Sequence, residues 1–269
     1  MSELTQLFDQ LWQQYTGESP EALLIYNLFK ARGENNLIND HVAFRTFDDS
    51  RVNIAKLGAF FEKLGYKACG EYEFKVKKLF ALHYEHVSDK NQPKIFISEL
   101  KTQEFSPFLQ NQVKACVDNI SASALNNIDF LYSGTHWELD YTIYQQLLAE
   151  SEYAAWLYVF GYRANHFTVF VNQLKTFSSI EQINNFLKEN NLILNAAGGE
   201  IKGTPAELLE QSSTMANKVL VKFKQGSYEV LNSYYEFARR YPAMDGELYQ
   251  GFIAASADKI FESTNIGKN

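Results

Sequence analysis

The sequence contains few cysteines, and they do not form a recognisable binding pattern. Among its 269 residues the two cysteines are Cys69 and Cys116, with no Cys-x-x-Cys spacing. Such a pair predicts neither a zinc knuckle nor a disulfide framework, so we expect free thiols. A metal site would then draw on the five histidines and the carboxylates. That donor set suits Fe(II), Mn(II) or Zn(II).

Positive charge and long apolar runs are also scarce. The 25 lysines and arginines are outnumbered by 32 acidic residues, which leaves a net charge of -7. Because the basic residues are dispersed, we expect no nucleic-acid partner. No run approaches the roughly 18 apolar residues needed to cross a bilayer, and the first residues, Met1–Gln14, do not resemble a signal peptide. We therefore expect no membrane partner and a cytoplasmic location.

Two similar strand patterns stand out in this otherwise ordinary composition. Each begins at a histidine, His41 in NDHVAFRTF and His166 in ANHFTVFV. Because alternate residues of a strand face the same side, each histidine shares a face with the residues two and four positions further on. If the strands occupy matching places in two like modules, both imidazoles point into one cavity.

The surrounding periodicity predicts an α+β fold with paired βαβββ modules. Each histidine strand is followed by a helical pattern, at 53–64 in the first half and 180–188 in the second. Ser178 or Ser179 could cap the second of these helices. Further strands are predicted after each helix. Those of the first module are 66–76, 79–86 and 94–100, and those of the second are 192–202, 218–223 and 227–235, with a hairpin turn at Gln225–Gly226.

These patterns divide the chain into segments of a single catalytic unit, 1–269. Two helices form the N-terminus, 37–102 is module one, and 161–242 is module two. A helical insert, 103–160, lies between them. The C-terminal segment, 243–269, contains a final helix at 246–263. The sequence leaves the oligomeric state open.

The paired histidines suggest a metal centre with two imidazoles and one carboxylate, which leaves positions open for substrate and O2. Glu236 and Glu99 are both candidates for the carboxylate, since they lie near the ends of the two modules. Each histidine could instead be a strand residue held by a hydrogen bond, and Glu236 could pair with Arg239 or Arg240 at the surface. His83, His86 and His136 are interpreted as structural or solvated.

Four more residues are candidates for substrate binding. Arg45 shares the strand face of His41 and could grip a substrate carboxylate with two hydrogen bonds, or else pair with Asp48 or Asp49 in solvent. Lys202 could meet an acidic substrate, and Gln211 or Ser213 could hydrogen-bond to it. The alternative for these last three is a turn rich in glycine and serine.

Five motifs carry a resemblance to a known family. They are DHVAFRTF at 40–47, NHFT at 165–168, IKGTP at 201–205, QSSTMA at 211–216 and YEFARRYP at 235–242. With these motifs the chain resembles the DUF1338 family, whose characterised activity is 2-oxoadipate dioxygenase/decarboxylase (2-hydroxyglutarate synthase), within the vicinal oxygen chelate superfamily. The resemblance implies a sheet or half-barrel formed by the two modules.

The resemblance also implies the roles of particular residues. His41, His166 and Glu236, in preference to Glu99, would hold Fe(II), and Arg45 would bind substrate. The implied reaction converts a 2-oxo dicarboxylate and O2 to a 2-hydroxy dicarboxylate and CO2, as part of lysine catabolism. Two alternatives remain: a Zn(II)- or Mn(II)-dependent lyase, isomerase or hydrolase with the same ligands, and a non-catalytic protein that binds small acids.

Overall fold

The computed structural model describes residues 2–264, which form ten strands and nine α-helices within that range. The strands are β1 (Asn39–Phe47), β2 (Tyr66–Phe74), β3 (Leu79–His86), β4 (Lys94–Leu100), β5 (Ala164–Phe170), β6 (Lys202–Thr204), β7 (Leu209–Ser213), β8 (Lys218–Phe223), β9 (Gly226–Leu231) and β10 (Glu236–Arg240). The helices are α1 (Glu3–Glu18), α2 (Pro20–Arg32), α3 (Ile54–Lys63), α4 (Pro107–Asp118), α5 (Ala122–Leu125), α6 (Tyr141–Glu150), α7 (Glu152–Phe160), α8 (Ile180–Glu189) and α9 (Ala254–Ile260).

Eight of the strands form one curled sheet with an internal symmetry. The order across the sheet is β2-β3-β4-β1-β5-β10-β7-β6. Read outward from the central pair, β1 is followed by β4, β3 and β2, and β5 is followed by β10, β7 and β6. In both halves the first neighbour is parallel and the next two are antiparallel. The predicted α+β architecture of paired βαβββ modules forming a half-barrel is thereby confirmed.

The sheet separates an apolar layer from a concave cavity. On β5, Phe167 faces the helices and packs edge-on against Trp12 of α1 at 5.1 Å between ring centroids. His166 and Thr168 point to the opposite, concave side, as strand alternation requires. Helix α9 contacts β2, β6 and β7, so it closes the concave side across both edges of the sheet.

Helix boundaries follow local capping chemistry. The side chain of Asn53 accepts a hydrogen bond from the Lys56 amide at the start of α3, and that of Ser179 accepts one from the Gln182 amide at the start of α8. Ser179 is one of the two caps that the sequence suggested. These side-chain oxygens satisfy amides that the first helical turn leaves without an internal partner.

The strand predictions for the second module are partly wrong. Residues 192–202 form an irregular segment whose strand begins only at Lys202, and the predicted strand 227–235 ends at Leu231. The β8–β9 hairpin turns at 224–225 and forms a separate two-stranded sheet. It packs on α6, where Tyr228 stacks on Tyr141 at 3.6 Å. The module is instead completed by β7 and β10, whose mixed polar sequences do not alternate.

Two further points concern the helical predictions. The final helix is shorter than predicted: α9 spans Ala254–Ile260, and a 3-10 turn follows at Phe261–Thr264. The end of the predicted C-terminal segment, 265–269, lies outside the described residues. Between residues 2 and 264, none of the helices has the length and apolar character of a membrane span.

Candidate metal centre

The two histidines and Glu236 lie on three adjacent strands at the centre of the sheet. His41 is on β1 and His166 on β5, and the antiparallel register places Ala43 opposite His166. Glu236 begins β10, opposite Thr168 of β5. Because His166 and Thr168 face the same side, this register brings both imidazoles and the carboxylate together on the concave face.

The distances between these side chains fit a shared cation. His166 Nε2 lies 3.0 Å from one carboxylate oxygen of Glu236, and His41 Nε2 lies 3.7 Å from the other. One ligand atom from each residue lies within 4.8 Å of the others, and all three residues are buried. The proposed histidine pair therefore converges, as the strand patterns predicted. Two imidazoles and one carboxylate form the facial donor set of non-haem iron sites.

A carboxylate behind His41 fixes the orientation of its ring. Asp40 Oδ1 lies 2.8 Å from His41 Nδ1. The same carboxylate accepts two hydrogen bonds from Arg240, at 2.6 and 2.9 Å. Burial opposes charge on Asp40, but the Arg240 guanidinium outweighs it and holds the pKa of Asp40 well below its usual range. Since an ionised carboxylate only accepts, Nδ1 of His41 must carry the ring proton.

An amide performs the same task for His166. Asn165 Oδ1 lies 2.9 Å from His166 Nδ1, and an amide oxygen is likewise only an acceptor. The ring proton is therefore held on Nδ1 in both histidines, and both Nε2 lone pairs face the Glu236 carboxylate. Thr168 Oγ1 lies 3.0 Å from His41 Nε2, and Gln211 donates to Glu236 Oε1. His166 Nε2 and the other Glu236 oxygen remain face to face at 3.0 Å in a buried space, where a positive charge would stabilise them. A divalent metal ion fits this donor set.

The protonation states favour metal binding as well. Burial lowers the pKa of His166, although the nearby Glu236 works against this shift. Burial opposes ionisation of Glu236, but the neighbouring His41 and His166 side chains lower its pKa overall. A neutral imidazole and an ionised carboxylate are the forms that bind metal.

A small cavity extends from the three side chains toward the C-terminal part of the chain. Its walls are largely aromatic and aliphatic. Phe44, Phe96, Phe252, Ile260 and Phe261 contribute the apolar surface. Arg45 also lines this cavity, with 2% of its surface exposed. The suggested surface pairing of Arg45 is therefore wrong, since Asp49 bonds to Arg51 and Asp48 to Thr102.

Arg45 is held by rings but keeps free donors. Its guanidinium carbon lies 4.9 Å from the centre of the Tyr153 ring and 5.1 Å from that of Trp156. Nη2 donates to Thr264 Oγ1 at 3.2 Å, whereas Nε and Nη1 have no hydrogen-bond partner. Leaving such buried donors unpaired costs free energy, about 1–3 kcal/mol for each group. An anion in the cavity would satisfy them.

The remaining predicted substrate residues divide into two groups. Gln211 lines the cavity and donates to Glu236 Oε1 at 2.6 Å. Lys202 does not line it: its ammonium donates to the Asn195 carbonyl, and burial lowers its pKa to about 8. Ser213 also lies outside the lining and shares a 2.9 Å hydrogen bond with Ser263. Substrate binding by Lys202 and Ser213 stays a prediction.

Glu99 points to the opposite side of the sheet. Its carboxylate accepts a 2.9 Å hydrogen bond from the Ile54 amide at the start of α3. The structure therefore brings Glu236, not Glu99, to the two histidines. Nor does Glu236 pair with Arg239 or Arg240 at the surface, since Arg240 bonds to Asp40 and Arg239 to the Ser178 carbonyl.

Some features of the site were absent from the sequence prediction. Tyr234 stacks on His166, with 4.5 Å between ring centroids, and Phe252 meets His41 edge-on at 4.8 Å. The Asp40–Arg240 pair joins residues 200 positions apart. The adjacency of Asp40 to His41 and of Asn165 to His166 was a usable signal, since both polar residues immediately precede a candidate ligand.

The fold and these side chains define the class of protein. Two βαβββ halves that enclose a metal-ligand set form the fold of the vicinal oxygen chelate superfamily. A Ralstonia eutropha protein of the glyoxalase superfamily shares this fold, with a TM-score of 0.76 at 19% identity over 92% of this chain and 85% of that chain.

Within this superfamily, the sequence also identifies one family. A family model described as 2-oxoadipate dioxygenase/decarboxylase matches residues 2–248. The chain belongs to this family, which confirms the resemblance seen in the motifs.

Relatives of this family match the chain over most of its length. A rice protein named 2-oxoadipate dioxygenase/decarboxylase is 35% identical over 93% of this chain and 76% of its own length. An Arabidopsis thaliana protein of the same name is 32% identical over 95% and 76%. The crystal structure of rice hydroxyglutarate synthase with 2-oxoadipate has a TM-score of 0.89 at 33% identity, over 97% of this chain and 91% of that chain.

A bacterial protein of known structure has a higher sequence identity to this chain than the rice enzyme has. A Shewanella frigidimarina protein, which carries the provisional description of a hydrolase, is 49% identical, with a TM-score of 0.89 over 95% of this chain and 99% of its own.

The orientation of His166 by Asn165 can be tested by metal titration. We expect Asn165→Leu to weaken metal binding about 10- to 100-fold, because loss of the acceptor frees the ring to change tautomer and direction. Asn184→Leu is the matched control. Asn184 is also buried, has one side-chain hydrogen bond, with Ser212, and has an unpaired Nδ2 like Asn165. Equal metal affinity in the two folded variants would refute the orienting role.

Proposed function

We propose that the protein is an Fe(II)-dependent dioxygenase and decarboxylase that converts a 2-oxo dicarboxylate such as 2-oxoadipate to a 2-hydroxy dicarboxylate such as 2-hydroxyglutarate. The observation that carries the proposal is one cavity that contains both a buried two-histidine, one-carboxylate set and an arginine with unpaired donors. Membership of the 2-oxoadipate dioxygenase/decarboxylase family supports the reaction class.

Arg45 would select for a second carboxylate on the substrate. Its Nε and Nη1 atoms are buried and unpaired, and a carboxylate can accept from two guanidinium donors at once. The Tyr153 and Trp156 rings hold the guanidinium in place before substrate arrives. The 2-oxo end of the same molecule would then lie at the metal ligands, because Arg45 and these ligands line the same cavity.

His41, His166 and Glu236 would hold the iron, which supplies O2 activation and a binding site for the 2-oxo acid. Asp40 and Asn165 hold a ring proton on Nδ1 of each imidazole and so aim Nε2 at the site. Gln211 donates to one Glu236 oxygen and so restrains the carboxylate. The phenylalanines of the cavity wall would keep water from the site and so limit side reactions during O2 chemistry.

The proposed reaction balances without another reductant. The bond between the terminal carboxylate carbon and the keto carbon breaks, and the carboxylate leaves as CO2. One oxygen atom of O2 completes a new carboxylate on the former keto carbon. The other is inserted into a C–H bond of the adjacent carbon and becomes the hydroxyl group. Oxidation of the substrate's own 2-oxo acid group supplies the electrons that reduce O2, so the reaction needs no separate co-substrate.

Removal of one proposed iron ligand should abolish turnover. Protein loaded anaerobically with Fe(II) should consume O2 when 2-oxoadipate is added, and release CO2 and 2-hydroxyglutarate in equal amounts. His166→Ala should reduce uptake to the background rate, because two ligands hold the ion weakly. His136→Ala, which alters a half-buried histidine bonded to Ser133 in the helical insert, should keep it.

Three results of that oxygen-electrode assay would overturn the proposal. These are unchanged uptake in His166→Ala, no uptake by the wild type with any 2-oxo acid, or activity that requires Zn(II) or Mn(II) and no O2. The last result would instead support the lyase, isomerase or hydrolase alternative.

The role of Arg45 can be tested by comparing two substrates of equal length. For 2-oxoadipate, Arg45→Met should lower kcat/KM about 10- to 100-fold, because a charge-assisted hydrogen-bonded pair contributes about 1.5–3 kcal/mol. For 2-oxohexanoate, which has a methyl group in place of the distal carboxylate, the change should be much smaller. An equal loss with both substrates would show that Arg45 does not recognise the second carboxylate.

A further inference from the structure

A second group of metal-ligand side chains lies on the β2–β3 hairpin, away from His41 and His166. Cys69, His83 and Glu85 each offer one ligand atom, and these atoms lie within 4.8 Å of one another. We propose that these three residues form a second site for a divalent ion of borderline softness, such as Zn(II). The inference is independent of the proposed dioxygenase activity.

A β-bulge brings the cysteine to the other two residues. His83 and Glu85 are two positions apart on β3 and therefore face the same side. On β2, Ala68 pairs with Tyr84 and Gly70 with His83, so Cys69 is the extra residue of an irregular register. Such bulges re-aim a side chain that regular alternation would send elsewhere. The interruption places the thiol beside the histidine and the glutamate.

His83 is oriented in the manner of a metal ligand. The residue has 3% of its surface exposed, and its Nδ1 lies 2.8 Å from the Tyr72 hydroxyl. That hydroxyl in turn accepts a 3.1 Å hydrogen bond from the Phe252 amide, which holds it in place. The other ring nitrogen, Nε2, lies 3.0 Å from Glu85 Oε1. A hydrogen bond at the ring nitrogen that does not bind the metal fixes the tautomer and direction of a ligand histidine, and Tyr72 is placed to supply it.

The donor set distinguishes this site from the first one. A thiolate, an imidazole and a carboxylate suit Zn(II), whereas the set around His41 contains no sulfur. In a tetrahedral zinc site the ligand atoms lie about 3.5 Å apart, as bond lengths of about 2.0–2.3 Å require. The exposed Cys69 side chain, whose thiol donates to the Lys67 carbonyl at 3.5 Å, would rotate to close the remaining distance. Three protein ligands at a partly exposed position leave the fourth place for water.

Charge near the cluster is compatible with a cation. Glu85 contributes a carboxylate to the cluster, which offsets the charge of a cation. Burial and the neighbouring Glu85 raise the pKa of the Cys69 thiol, so metal binding would release its proton. Lys67 and Lys94 are the cationic side chains that interact with the cluster.

The second site is separated from the first cavity by Phe252, one of the residues that line that cavity. The His83 ring is 5.4 Å from the Phe252 ring, which also contacts the His41 ring at 4.8 Å. The aromatic ring of Phe252 separates the two ligand sets, so they would bind separate ions. An ion bound at Cys69 would stabilise the bulged β2–β3 hairpin at the edge of the sheet. It would also restrain the backbone of Phe252, because Tyr72 bonds to both His83 and the Phe252 amide.

Cobalt absorption can detect the second site without measuring activity. Co(II) bound to a thiolate gives an intense near-ultraviolet charge-transfer band, which nitrogen and oxygen ligands do not give. We expect this band on anaerobic titration of the full-length wild-type protein. Cys69→Ser should lose the band and bind one cobalt ion fewer than the wild type. Because Cys69 is exposed, this variant should fold, which circular dichroism checks.

Two control variants separate this proposal from the dioxygenase proposal. Cys116→Ser should keep the band, because Cys116 is buried at a distant position on α4 and its thiol pKa is raised to about 12. His166→Ala should keep the band while losing the other cobalt ion. Absence of the band in wild-type protein with excess Co(II), or its persistence in Cys69→Ser, would overturn the second site.

Discussion

The structure of the site depends on two ring protons that are held away from the cavity. Asp40 and Asn165 each accept from the Nδ1 atom of the following histidine. Both Nε2 lone pairs are consequently turned toward the carboxylate of Glu236 in a buried space. A bound cation would stabilise these facing acceptors, which would account for a polar group at the centre of an otherwise apolar sheet.

The two halves of the sheet share a topology but have diverged in chemistry. Glu236 on β10 lies opposite Thr168, and the corresponding register in the first half places Phe96 of β4 opposite Ala43. One half therefore supplies the carboxylate, and its counterpart supplies an apolar wall. Likewise the residue four positions after His41 is Arg45, whereas the one four positions after His166 is Phe170. The duplicated fold thus gives a cavity lined by two histidines and a carboxylate on one side and by an arginine on the other.

Much of this arrangement could be predicted from sequence, because the features involved are local. Alternation identified β1 and β5 and placed His41 and His166 on equivalent faces. The motif resemblance selected Glu236 over Glu99, although periodicity left that choice open. The irregular segment 192–201 was mistaken for a strand because its apolar residues Leu192 and Leu194 alternate. Strands β7 and β10 were missed because buried polar side chains hide their period.

Long-range pairing set the limit of the prediction. The hydrogen bonds between Asp40 and Arg240 join residues near the two ends of the chain. In the same way, Phe252 and Phe261 from the C-terminal segment cover a cavity formed by earlier strands. The Cys69–His83–Glu85 cluster depends on a one-residue bulge, which leaves no periodic signal. Cys69 was expected to be a simple free thiol, and His83 to be structural, because neither has a ligand-like spacing in sequence.

The central claim is that His41, His166 and Glu236 together hold one metal ion. Crystals prepared anaerobically with Fe(II) and measured at the iron absorption edge test it most directly. We expect an anomalous difference peak about 2.0–2.2 Å from Nε2 of both histidines and from a Glu236 oxygen. A peak that contacts only one imidazole, or an iron ion bound elsewhere with this site occupied by hydrogen-bonded side chains alone, would contradict the account.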